Sequence, residues 1–233
     1  MIPLNHRVLG DILDPRQARA HHGSVVRTGA RAAVLADQLE RGGLTSSPRP
    51  PAPRLSHLDD DSAELVVGLY RELGGANEQP TLRPGAWDLC AGGTVIELDE
   101  ELHFNRYRAA TLEGEWAAAL PWCDDYRELC GVREPECLRA ATWGKRWANP
   151  SSDRLFGGSS PPGDLDGGLG ASRWKQRALY DAFKDVVALT TDLRLARLSV
   201  WDDVGGRTLG EMLEGRAEVD PAEVVALVVR RAV

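Results

Sequence analysis

Residues 88–99, DLCAGGTVIELD, set three carboxylates on two short apolar runs joined by a glycine pair. Gly92-Gly93 between β-rich segments predicts a two-residue hairpin turn. In that register Ala91 faces Thr94, Cys90 faces Val95 and Asp88 faces Glu97. Side chains alternate along a strand, so Val95, Glu97 and Asp99 point one way while Ile96, Leu98 and Glu100 point the other. Asp88, Glu97 and Asp99 therefore converge, the opposed pair with Cβ atoms roughly 5 Å apart. Carboxylates this close raise one another's pKa unless a cation neutralises them. Mg²⁺ or Mn²⁺ meets that need, because hard cations take oxygen ligands and keep water for chemistry. The competing reading is a solvated strand end whose acids pair with Arg106 and Arg108. The alternation of acids with Val95, Ile96 and Leu98 favours the metal.

The run Asp88, then Glu97-Leu98-Asp99, then His103 and Arg106, resembles the PD-(D/E)XK nuclease superfamily. The likeness is to the branch similar to very-short-patch-repair endonucleases, in which an Asp precedes a Glu-x-Asp-Gly-x-x-His run. It implies a metal-dependent nuclease with a restriction-endonuclease-like core. Glu100 stands in place of the branch's Gly, and Asp99 stands where the wider superfamily has lysine, so a catalytic cation must come from elsewhere. Some members of the superfamily carry that lysine on a neighbouring helix. The matching pieces cover roughly 85–112 and 173–202, the second as a helix followed by a strand.

Lysine occurs only at positions 145, 175 and 184. At about 100° per residue, Lys175 shares a helical face with Leu179, Ala182 and Val186. Lys184 falls with Arg177, Asp181 and Ala188 on the polar side. Lys175 is thus expected to point inward, with Gln176 on the adjacent apolar arc beside Tyr180, Phe183 and Val187. Beside a carboxylate cluster this lysine can steer the attacking water or stabilise a pentavalent phosphate. Arginine, charged at every working pH, is a poorer proton-transfer partner. His103 is a candidate general base or phosphate contact. Asn105 and Arg106 are candidate phosphate contacts, with a salt bridge from Arg106 to Asp99 or Glu100 as the alternative. Glu64, on the helix before the hairpin, is a further candidate metal ligand.

The elements that must position these residues read as an α/β fold, a mixed central β-sheet flanked by helices, with a loop-rich insertion. ARAAVLADQLER (30–41) is helical and SSPRPPAPR is a proline-rich linker, so residues 1–55 are expected to form a loose N-terminal appendage. Residues 56–233 then form the nuclease-like domain. It contains a helix over 59–73, the hairpin, a helix after Arg108, the insertion at 121–172, an amphipathic helix, the strand RLARLSVWD and a last helix capped by Asp220-Pro221. Within the insertion, Cys123, Cys130 and Cys137 recur every seven residues. They fit either a zinc knot completed by a histidine or Cys90, or the buried face of a helix.

The net charge of −7 argues against a generic nucleic-acid coat. Locally, LRAATWGKRWANPSSDR (138–154) carries Arg139, Lys145, Arg146 and Arg154 with Trp143 and Trp147 interleaved. This is either a phosphate-facing surface, with Lys145 and Arg146 as substrate contacts, or an insertion whose tryptophans pack against the body. No apolar run reaches the ~20 residues of a membrane span, and MIPLNHRVLGDILDPRQ lacks the layout of a secretion signal, so a cytoplasmic protein without membrane contact is expected. The functional expectation is an Mg-dependent endonuclease acting on DNA rather than RNA, of repair or defence type. The alternative is a nucleic-acid-binding module on a degenerate nuclease fold. A homodimer, which many nucleases use to cut both strands, stays open.

Overall fold

The computed structural model describes residues 29–141 and 144–233. The first 28 residues of the expected appendage, with His6, His21 and His22, and also Trp143, lie outside the described residues. The helices are α1 (Ala30–Arg41), α2 (Asp60–Glu72), α3 (Arg106–Thr111), α4 (Cys123–Ala141), α5 (Pro150–Phe156), α6 (Ser172–Thr190), α7 (Leu209–Leu213) and α8 (Pro221–Arg231). The strands are β1 (Leu89–Ala91), β2 (Thr94–Asp99), β3 (Leu195–Ser199), β4 (Asp203–Val204) and β5 (Arg207–Thr208). The fold is α/β, a three-stranded mixed sheet flanked by helices. No helix among the described residues is long and apolar enough to cross a membrane.

The hairpin has the register expected from its glycine pair: Leu89 opposite Ile96, Cys90 opposite Val95, Ala91 opposite Thr94. Gly92 and Gly93 have φ of 56° and 76°, the positive values that the two-residue turn demands and that residues with a Cβ resist. β2 then pairs in parallel with β3. A parallel pair needs a long crossover, and α6 supplies it. Single antiparallel bridges, Ser46 to Ala91 and Ala196 to Ala232, extend the sheet at both edges.

β2 is buried on both faces along its whole length. Ile96 and Leu98, with Ala196 and Leu198 of β3, enter a cluster with Leu35 and Leu39 of α1 and Val224, Leu227 and Val228 of α8. Val95 and Leu195 face the opposite side, packing with Leu179, Ala182, Phe183 and Val186 of α6. The two elements that bracket β2 therefore use opposite faces of one alternating strand.

Two expectations about organisation are corrected. Residues 30–55 are not a loose appendage. Leu35 and Leu39 are 0% and 1% exposed, because an i,i+4 apolar pair needs cover and α8 provides it. The proline-rich linker is also tied down: Trp87 Nε1 donates to Pro51 O at 3.1 Å and Arg49 Nη1 to Trp87 O at 3.0 Å. The 121–172 segment is less loop-rich than expected, because α4 runs 19 residues through it. Gly131 and Pro135 weaken the helical signal, and packing of Cys123, Tyr126, Cys130 and Cys137 into the body overrides that weakness.

Candidate active site

A cleft of about 370 Å³ opens where the end of the hairpin meets α6. Its walls include Asp88, Glu97, His103, Arg173, Arg177 and Lys184. Glu97 is only 3% exposed. Its Oε1 accepts from the Asp88 backbone N–H at 3.1 Å and its Oε2 from Lys184 Nζ at 2.7 Å. Lys184 Nζ also donates to Ala86 O at 3.0 Å. An ammonium carries three donors, so one N–H of Lys184 is left uncommitted. Asp88 is exposed, and its Oδ2 accepts from Leu98 N–H at 3.0 Å while Oδ1 has no protein partner among the described residues. Burial raises the Glu97 carboxyl to about 7; Lys184 opposes the rise and Asp88 adds to it.

Deeper along the same face lies a charged network. Arg197 Nη1 is 2.8 Å from both oxygens of Asp99, and its Nε donates to Asp185 Oδ1 at 2.9 Å. Asp185 Oδ2 accepts from Arg108 Nη2 at 2.6 Å. His103 Nδ1 sits 2.8 Å from Asp181 Oδ2 and 3.1 Å from Asp99 Oδ1. Burial alone would lower the His103 pKa; Asp181 and Asp99 outweigh it and hold the value up. Burial pushes the Asp181 carboxyl upward, yet the positive charges of His103 and Arg197 hold it far below the usual carboxylate range. His103 thus carries its proton at Nδ1, and its Nε2 has no protein partner among the described residues. The turn bearing His103 is fixed from outside by Arg31 of α1, bidentate to Glu101 at 2.9 Å and also paired with Glu214.

Sequence reasoning placed Asp88, Glu97 and Asp99 on one face of the hairpin and His103 after its second strand, and all four lie at this end of the sheet. Asp99 is corrected as a metal ligand: unlike Glu97 it does not line the cleft, and Arg197 sits on both its oxygens. Lys175 is corrected as the catalytic cation. Its Nζ ends 5.6 Å from the Tyr107 ring centroid and 5.8 Å from that of Phe156. It lies nine residues before Lys184, half a turn out of phase on the same helix. The lysine at the carboxylates is Lys184, assigned by periodicity to the polar side. Gln176 is 2% exposed and holds Arg173 Nη1 through Oε1 at 2.7 Å, a positioning contact rather than a place at the acids.

Other expected contacts are also reassigned. Arg106 forms a bidentate pair with Glu134 and reaches Asp166 at 2.7 Å, which takes its donors away from any phosphate. Asn105 caps α3 through Tyr107 and Arg108 N–H and is 1% exposed. Glu64 pairs with Arg71 at 2.6 Å on the exposed side of α2. Lys145 and Arg146 sit on an exposed short turn (Gly144–Arg146) and line neither the cleft nor the groove beside it. Trp147 packs edge-on against Trp174 at 5.4 Å, which anchors the insertion to the body. Cys123, Cys130 and Cys137 lie along one helix, about 10 Å apart per heptad step, too far to share one zinc ion. Each is buried as a free thiol.

Sequence reasoning missed Lys184, Arg173, Arg177, Asp181 and Arg197. One signal was available: Arg173, Arg177, Asp181 and Lys184 recur at i, i+4, i+8 and i+11, a charged stripe along one face of α6. Arg177 is lowered to about 10 by burial and the neighbouring charge of Arg173. Neither arginine has a carboxylate within 4 Å among the described residues, so both face the cleft's rim with charge to spare.

Two donor sets can be tested against a divalent cation. Asp99, His103 and Asp181 bring ligand atoms within 4.8 Å of one another. Arg197 already lies 2.8 Å from Asp99 and 3.6 Å from Asp181, so that set contains its own cation. Asp88 and Glu97 instead offer adjacent carboxylates at the cleft, with Asp88 Oδ1 uncommitted and all donors oxygen, which suits Mg²⁺ or Mn²⁺. Comparison with curated proteins and with solved structures returned no match. Residues 68–215, which carry the hairpin, α6 and β3, match the family described as "Family of unknown function (DUF7255)", and the chain belongs to that family.

Proposed function

We propose that the protein is a metal-dependent nuclease that hydrolyses phosphodiester bonds, in DNA rather than RNA. The observation that carries this reading is the grouping of Asp88, Glu97 and Lys184 at the mouth of one cleft, with Arg173 and Arg177 beside them. Asp88 and Glu97 would hold Mg²⁺ or Mn²⁺, which supplies Lewis-acid stabilisation of the phosphoryl oxygens when bound. The uncommitted N–H of Lys184 is aimed to orient the attacking water and to stabilise charge on the phosphate. Arg177 and Arg173 bind the phosphate through donors that no carboxylate claims. His103, held in its charged form by Asp181 and Asp99, donates its Nδ1–H to those aspartates and presents the second proton, on Nε2, to the leaving oxygen. A lysine delivered from α6 matches what some members of the PD-(D/E)XK superfamily do. The four cysteines are all free thiols, in keeping with the cytoplasm as the compartment we assign.

Plasmid cleavage in Mg²⁺, Mn²⁺ and EDTA, with wild type, Glu97→Ala and Lys184→Met, tests the reading. Metal-dependent nicking or linearisation by wild type alone is the expected result. A second reading, a nucleic-acid-binding module without chemistry, is favoured by one observation: Lys184 already neutralises Glu97 at 2.7 Å. DNA binding with no cleavage in any divalent ion would establish that second reading and sink the first.

A further inference from the structure

Beyond the cleft, a second and larger cavity of about 850 Å³ runs between α5, α6 and the segment 77–85. It joins the cleft directly, because Gly85, Arg173 and Tyr180 line both. Among the described residues, three arginines, Arg83, Arg154 and Arg173, line this groove and no carboxylate does. That is a departure for a chain with 35 acids and 28 lysines and arginines. Elsewhere arginines are spent on acids, as at Arg31, Arg106, Arg108, Arg197 and Arg231. The guanidinium groups of Arg83 and Arg154 have no ion-pair partner among the described residues, and both residues are exposed. The remaining polar lining consists of neutral amides and hydroxyls, among them Asn77, Asn149 and Ser151.

The groove is built rather than incidental. Gln176 is 2% exposed and uses both ends of its amide, accepting from Arg173 Nη1 at 2.7 Å and donating to Ser151 Oγ at 3.0 Å. It holds Arg173 at the junction of cleft and groove. On the far wall Asn77 Nδ2 donates to Arg154 O at 2.8 Å, which fixes the backbone that presents the Arg154 side chain.

We propose that this groove binds the sugar–phosphate backbone of the strand flanking the bond to be cut, a substrate assignment that rests on the nuclease reading. Acid-free arginines set among neutral hydrogen-bonding groups suit a chain of phosphates and sugars. Tyr180 is the only aromatic residue among the described residues of the lining, so contacts are to backbone and largely independent of base identity. Arg173, shared by both cavities, contacts the phosphate next to the scissile one.

The test is fluorescence anisotropy of a labelled single-stranded 20-mer DNA in EDTA, titrated between 50 and 200 mM salt. Wild type, Arg83→Gln/Arg154→Gln and Lys145→Gln are compared, each checked by its thermal transition. Loss of two phosphate contacts lowers the slope of log K against log salt by about 1.4 for a single strand. The double variant should show that drop and Lys145→Gln should match wild type. An unchanged slope in the double variant overturns the groove, and leaves the nuclease reading intact if wild type still cleaves plasmid in Mg²⁺. A lowered slope with no cleavage in any divalent ion upholds the groove and overturns the nuclease. No binding by wild type overturns the groove, and plasmid cleavage in a divalent ion then decides the nuclease reading by itself.

Discussion

Replacing Glu97 by Gln removes one buried titration and, with it, a defined part of the pH dependence of stability. In the metal-free protein burial raises the Glu97 carboxyl from 4.5 to about 7. Between those values the folded chain keeps a proton that the unfolded chain has lost. The stabilisation from that proton is complete below pH 4.5 and is lost as pH rises through 7, by at most about 1.4 kcal/mol per pH unit. Over the whole window the loss is about 3 kcal/mol, a large share of the roughly 5–15 kcal/mol that holds an ordinary domain together. Urea unfolding followed by tryptophan fluorescence in EDTA, at intervals from pH 4.5 to 8, measures it. Wild type should lose about 3 kcal/mol more than Glu97→Gln across that range. The raised pKa of His103 adds a loss above its ordinary 6.5, but both proteins carry it and the comparison cancels it. The depressed Asp181 acts only as pH falls below its ordinary 3.8. Excess Mg²⁺ should flatten the wild-type curve, because a bound cation favours the ionised carboxylate. Curves for the two proteins that run parallel to within about 1 kcal/mol in EDTA would refute the reasoning, since that is the scale of extrapolation error.

The two lysines of α6 should separate cleanly: Lys184→Met is expected to lower the cleavage rate roughly 100-fold or more, and Lys175→Met to leave it within about threefold, a change worth under 1 kcal/mol at the barrier. Asp185→Ala, which strands two buried guanidinium groups, should cost about 3–5 kcal/mol in urea unfolding. Arg108→Met/Asp185→Leu should recover part of that loss, and a double variant weaker than the single would show that the pair is not what holds the site. Thiol reagent should modify Cys123, Cys130 and Cys137 only after unfolding, with no zinc recovered from the purified protein. Rapid labelling of the native state would contradict the burial of α4.

The hairpin was legible because its cause is local. Two glycines fix the turn, the turn fixes the register, and the register sets Asp88 opposite Glu97. Lys184 was misread because helical periodicity separates polar from apolar faces without saying what each face meets. The stripe holding Arg177, Asp181 and Lys184 was read as the polar side, yet Asp181, Lys184 and Asp185 are all buried against the sheet. The apolar side, Leu179, Ala182, Phe183 and Val186, shares its cluster with Val66 and Leu69 of α2 as well as with Val95 and Leu195 of the sheet. The same gap hid the fate of Arg106, whose partners Glu134 and Asp166 lie 28 and 60 residues away in sequence. The cysteine heptad was correctly weighed between metal and buried face, and only the continuity of α4 decides it.

One pattern in the sequence does carry the information that periodicity missed. β2 alternates Val95, Glu97 and Asp99 on the face turned to α6, and β3 adds Arg197 to the same face. Acids placed on a fully buried strand must be answered by cations from the elements packed around it. There Arg108, Arg197, Lys184 and His103 meet Asp99, Asp181, Asp185 and Glu97, four cationic groups against four carboxylates. Such a network is costly to bury, and well-packed apolar side chains of similar size would often leave a protein as stable or more so. Stability alone therefore gives no reason for this face to be charged. Positioning does: Arg197 fixes Asp99, Asp99 and Asp181 fix the proton on His103, and Lys184 fixes Glu97. Each link ends at the one cleft where Asp88 is open to solvent.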